Sequence, residues 1–160
     1  MKHIVIIIVL SVFSGCVATK PLPSDLTTYE KIFSLPNQSK DQLYIKTNEW
    51  FVRTFVSSES IIEFQDKDAG KILGKYVNDF TKGIYNYRVK QVISIDIKEG
   101  KVRLIINEPL IKATGSVLST EPYNFPYKKI KSLSQLELIK THWQKLASDL
   151  ENTLIKDTSW

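Results

Sequence analysis

The stretch that decides the fold runs Tyr85-Asn86-Tyr87-Arg88-Val89-Lys90-Gln91-Val92-Ile93-Ser94-Ile95-Asp96-Ile97-Lys98, turns at Glu99-Gly100, and returns as Lys101-Val102-Arg103-Leu104-Ile105-Ile106-Asn107. In the first arm Tyr85, Tyr87, Val89, Ile93, Ile95 and Ile97 alternate with Asn86, Arg88, Lys90, Ser94, Asp96 and Lys98. Successive side chains of a strand point to opposite faces, so this alternation makes one apolar face and one wet face. In the second arm Val102, Leu104 and Ile106 alternate with Lys101, Arg103 and Asn107. The two arms form an antiparallel hairpin whose apolar face must be covered by something else.

Upstream, Ser60 to Gln65 and Lys71 to Asn78 read as paired strands around the turn Asp66-Lys67-Asp68-Ala69-Gly70. Before them, Tyr29 to Leu35 reads as a short strand and Pro36-Asn37 ends it. Ser39 with Gln42 is a capping box, and Leu43, Thr47, Trp50, Phe51 and Phe55 recur at helical spacing, which predicts a helix over 40–55. Downstream, Pro109 to Lys131 is poorly patterned apart from a short strand near Leu110 to Ala113. Ser134 with Glu137 makes a second capping box. Leu136, Ile139, Trp143, Leu146, Ala147, Leu150 and Leu154 follow, predicting a long helix to about residue 156 that lies across the sheet. The class is α+β in the order β-α-β-β-β-β-α.

The 160 residues are 42% hydrophobic and 24% charged, close to globular averages, which excludes a disordered chain, a collagen-like repeat and a multi-pass membrane protein. The single cysteine excludes an internal disulfide. The N-terminus is different in kind. Lys2-His3 opens it, Ile4 to Phe13 is apolar except for Ser11, and Ser14-Gly15-Cys16 follows. Ten helical residues rise about 15 Å, half of a hydrocarbon core, so the run is a targeting segment and not a span.

Cys16 after two small residues resembles the bacterial lipoprotein signal, although Phe13 replaces the usual Leu three residues before the cysteine. That resemblance implies a signal peptide over residues 1–15, diacylglycerol on the Cys16 sulfur, and acyl chains such as palmitate holding the mature chain in the membrane. From Cys16 onward lie 21 of the 22 basic and all 17 acidic residues, a formal charge of +4. This modest charge suits an envelope surface facing anionic lipid rather than nucleic acid. Residues 16–28, with Pro21, Pro23 and Ser24, read as a lipidated tether that allows a stand-off of up to roughly 40 Å. No acidic cluster follows Cys16, so no surface-export signal is evident and the protein is expected to face the periplasm; the outer membrane is the expected place, although the sequence leaves inner versus outer membrane open. The single domain spans 29–160.

The stretch Leu43 to Tyr76, with its Trp50-Phe51 pair, Phe55, the Asp66–Gly70 turn and Lys71-Ile72-Leu73-Gly74-Lys75, together with Ile95 to Arg103, resembles a known family. It is similar to the domain of unknown function with a TBP-like fold found in envelope lipoproteins of Gram-negative bacteria. The resemblance covers roughly residues 29–113. It implies a curved antiparallel sheet with helices packed on one face, and it implies no assigned activity. The fold takes its name from a DNA-binding protein, but a fold does not carry a function.

Candidate sites are few. Asp66, Asp68 and Gly70 imitate part of a calcium loop, yet the sixth and twelfth positions would be Lys71 and Val77, so a solvated turn is expected and no metal site. His142 is the only histidine after Cys16, no nucleophile motif accompanies it, and it reads as a partly exposed helix residue. No catalytic residues and no cofactor are expected, so the chain is read as a non-enzyme. Tyr123, Phe125, Tyr127, Lys128 and Lys129 combine aromatic and cationic groups in the long loop, a contact surface for membrane headgroups or an envelope protein partner. Trp50 and Trp143 fall on the helices' apolar stripes and read first as core. A concave sheet gripped by two helices would also let them wall a cleft for a lipid or other small hydrophobic ligand.

Overall fold

The long hairpin organises the molecule, and strands add to both of its sides. The structure is a computed structural model that describes residues 20–56 and 59–156. The targeting segment 1–15, Cys16 and Trp160 lie outside the described residues. Strands β1 (Tyr29–Ser34), β2 (Ile61–Asp66), β3 (Lys71–Lys82), β4 (Tyr85–Lys98), β5 (Lys101–Ser116) and β6 (Lys128–Lys129) form one antiparallel sheet in the order β1-β5-β4-β3-β2, with β6 beside β5. Helix α1 spans Lys40–Thr54 and α2 spans Leu133–Ile155. The α+β class and TBP-like architecture read from the sequence are those observed.

Register places the core. Ile72 pairs with Ile95, Gly74 with Ile93 and Tyr76 with Gln91, so these six share one face. A Cβ on Gly74 would meet Phe51 of α1 and Phe55, the residue that caps it, Trp143 of α2 donates to Gln91, and His142 of α2 stacks on Tyr76. Both helices therefore cover the same face. The opposite face is wet, with Arg103 bonded to Asp96 and Lys75 to Glu63.

Helix α1 begins as expected. The Ser39 side chain accepts from the Gln42 N–H, and the Gln42 side chain accepts from the Ser39 N–H. The second capping box does not form. Helix α2 starts at Leu133, one residue before Ser134, and its N-cap Ser132 makes no side-chain cap bond; Ser134 instead accepts from Lys82 Nζ at 2.8 Å.

The first third of the segment read as poorly patterned, Pro109 to Ser116, is strand. Two steps along β4 from Lys90 to Val92 face three steps along β5 from Leu110 to Asn107, so β5 carries an extra residue there. Glu108 takes it up with φ 52°, a left-handed conformation unusual for a residue with a side chain. A second shift, opposite Asn86 and Tyr87, inserts Thr114. Bulges of this kind bend the strand that carries them.

The expected free tether is shorter than its sequence. The Leu22 N–H donates to the Ile130 carbonyl at 2.9 Å, and the Leu22 side chain packs against the core cluster. Thr27 and Thr28 both donate to the Ser24 carbonyl, closing a turn. Residues 22–28 thus belong to the domain.

Candidate functional site

The end of the sheet that holds the β3–β4 turn and the start of α2 carries the candidate site. Its floor is made by Tyr87, Ile111 and Ala113, with Tyr87 and Ala113 opposite each other in the β4–β5 register. Phe125, Pro126 and Gln135 of α2 wall a cavity of about 400 Å³. Lys112, Lys128, Lys129 and Lys131 surround it. Among the described residues none of these four lysines makes an ion pair. An apolar floor bordered by lysines suits an anionic ligand with an apolar part.

The aromatic residues of the loop are sorted by the fold. Tyr123 is held by its N–H, which donates to the Thr114 carbonyl at 3.0 Å, and packs edge-on against Phe125, ring centroids 5.6 Å apart. Phe125 stays 54% exposed. Tyr127 leans over the wet face of the sheet. Its ring lies 4.7 Å below Lys112 Nζ and 5.2 Å below Lys90 Nζ, so the ring face holds two cations in place. Burial pushes the Tyr127 hydroxyl above its usual pKa, and the neighbouring Glu59 carboxylate adds to the rise.

Beside Tyr127, Arg88 bonds to Asp79 through both Nε and Nη2, at 2.7 and 2.8 Å, and its Nη1 bonds to Glu59. Those Arg88 bonds hold the Asp79 carboxyl below the usual range, and they raise the guanidinium further. This bidentate pair ties β3 to β4, the strand that carries Lys90.

The predicted contact residues Tyr123, Phe125, Tyr127, Lys128 and Lys129 therefore share one end of the molecule. Lys112, Lys90, Arg88 and Tyr87 joined them without a local signal, because strand register alone brings them there. The two predicted ligand-binding tryptophans are elsewhere. Trp50 and Trp143 are both fully buried; the Trp50 indole N–H donates to Asp149 at 2.9 Å and that of Trp143 to Gln91 at 2.7 Å. Their rings fill the space between helices and sheet, so the expected cleft at these residues is closed core. His142 is half-buried, stacks on Tyr76 with centroids 5.7 Å apart, and is held below the usual imidazole pKa by burial and then by Lys145. In the Asp66–Gly70 turn, Asp66 Oδ1 accepts from the Ala69 N–H at 2.7 Å.

The same architecture recurs in solved structures. A DUF4468 family protein from Bacteroides ovatus superposes with a TM-score of 0.61 at 17% identity, over 90% of this chain and 95% of that one. A TBP-like protein from Parabacteroides distasonis gives 0.58 at 11% identity, over 82% and 97%. At these identities the likeness concerns the fold alone. No curated protein sequence shows significant similarity to the chain. Residues 29–109, slightly more than half of the chain, match a family directly, and the chain belongs to that family, the domain of unknown function (DUF4468) with TBP-like fold.

Proposed function

We propose that this protein is a lipoprotein of the bacterial envelope, anchored through Cys16 and facing the periplasm from the outer membrane, that works as a non-catalytic binding or assembly module. The observation that carries the reading is the lysine-bordered cavity, an apolar floor with Lys128, Lys129 and Lys131 in its lining and, among the described residues, no salt bridge on any of the three. The position of His142 supports a non-catalytic role, since the one imidazole after Cys16 is packed on Tyr76 under α2 and not presented to a substrate. Among the described residues no helix is long and apolar enough to cross a membrane.

Two measurements test the proposal. Cys16→Ser should move the protein from the membrane fraction to the soluble fraction of the envelope; retention as firm as in the wild type sinks the anchor. Amine-reactive footprinting should then label Lys128, Lys129 and Lys131 more slowly in intact envelopes than in the purified protein, with Lys98 and Lys101 at the far turn as internal controls. Equal labelling of both groups in both preparations would show that the cavity rim contacts nothing.

A further inference from the structure

Six exposed apolar side chains cluster at the end that carries the cavity. Leu118 is 78% exposed, Val117 61% and Leu133 61%, and Ile84, Tyr85 and Phe125 are exposed beside them. Backbone and side-chain bonds hold them together. The Val117 N–H donates to the Ile84 carbonyl at 2.9 Å, Tyr85 pairs with Ser116, and Lys82 reaches from the β3–β4 turn to Ser134, next to Leu133. Lysines border this patch, and between Lys112 and Lys131 the chain carries four lysines against one acid, Glu121.

The tether supplies the second observation. Leu22 is pinned to Ile130, between Lys129 and Lys131, and lies only six residue steps along the chain from Cys16. Six residues reach at most roughly 20 Å. Whatever holds Cys16 is therefore kept within that distance of the lysine-bearing strand β6.

We infer that this end of the domain is a membrane-docking surface: Val117, Leu118 and Phe125 enter the interface of the bilayer, while Lys128, Lys129 and Lys131 meet anionic phospholipid headgroups. The inference rests on the lipoprotein reading and names the occupant of the proposed site. Charge complementarity and the short reach from Cys16 both select lipid over a protein partner. Aliphatic side chains inserted at the headgroup boundary and lysines over anionic lipid are the two contributions that hold peripheral domains flat on a bilayer.

The test uses full-length protein made in bacteria, reconstituted into vesicles of phosphatidylethanolamine and phosphatidylglycerol, with an environment-sensitive fluorophore on Leu118→Cys. A second sample carries the label on Ile45→Cys, an exposed position of α1 near the C-terminal end of α2. The label at 118 should shift to shorter wavelength and be quenched by nitroxide-bearing headgroups, while the label at 45 stays in water. The triple charge reversal Lys128→Glu, Lys129→Glu, Lys131→Glu, or vesicles of phosphatidylcholine alone, should remove most of that quenching. A label at 118 as wet as the one at 45, or quenching indifferent to charge reversal, overturns the inference. So does protection of 118 that arises in whole envelopes but not in vesicles, which would assign the patch to a protein. The number of dyes per chain reports separately on Cys16, since a free thiol there adds a second label and refutes the anchor whatever position 118 shows.

Discussion

Trp143 shows how one buried side chain ties the helix to the sheet. Its indole N–H donates to Gln91 Oε1, and Gln91 is itself 1% exposed with its Nε2 unpaired. Trp143→Phe keeps the apolar contact and removes the donor, which should cost about 1–3 kcal/mol in chemical denaturation because a buried acceptor is stranded. The double variant Trp143→Phe, Gln91→Leu should recover part of that loss, and a double variant worse than the sum of the two single ones would contradict the assignment. His142 sets a pH dependence. Its folded-state pKa lies below the usual value of 6.5, so the unfolded chain takes up the proton first as pH falls. Stability is therefore unaffected by this group at higher pH and declines as pH drops below about 6.5. Thermal melts from about pH 7.5 to 5 should show the decline in the wild type and a flatter profile in His142→Phe, which keeps the ring on Tyr76 but cannot be protonated.

At the scale of elements, the two helix starts make opposite predictions. Ser39→Ala should lower stability by about 1 kcal/mol, since the capping box is formed, whereas Ser132→Ala should change it by a few tenths at most. Strand β5 carries a removable strain. Glu108 at φ 52° should be relieved by Glu108→Gly, raising the denaturation midpoint by the equivalent of up to about 1 kcal/mol. A lower midpoint would mean that the Glu108 side chain is itself needed. The same bulge explains why the strand was hard to read. Its covered face is even-numbered through Val102, Leu104 and Ile106, then odd-numbered at Pro109 and Ile111, so a strict period of two breaks off midway. By contrast β4 is a continuous alternation and was readable over its whole length. The aromatic-cationic loop was recognisable as a cluster in sequence, but Lys112, Lys90 and Tyr87 reach it only through strand pairing, which leaves no local mark.

At the scale of the whole molecule, the covered face and the wet face are both accounted for, while the two ends of the sheet differ sharply. One end carries the β4–β5 turn, where Glu99 accepts from the Lys40 N–H and caps the start of α1. The other gathers the cavity, the lysines and the apolar patch. Gly70, at φ 64°, stitches the β2–β3 turn to β4 by accepting from the Ile97 N–H at 2.7 Å, and a Cβ there would collide with the Ile97 carbonyl oxygen. Gly70→Ala should therefore destabilise the domain by more than the usual helix or strand penalty for a single methyl, readable as a lower melting temperature. The hydrogen bond from Leu22 to Ile130 also changes what an anchored domain can meet. Shortening the free leash from roughly 40 to 20 Å reduces the volume that the domain explores by about eightfold. With the proposed anchor at Cys16, its effective concentration toward anything in the same membrane would rise by that factor, and a partner beyond the leash would be out of range.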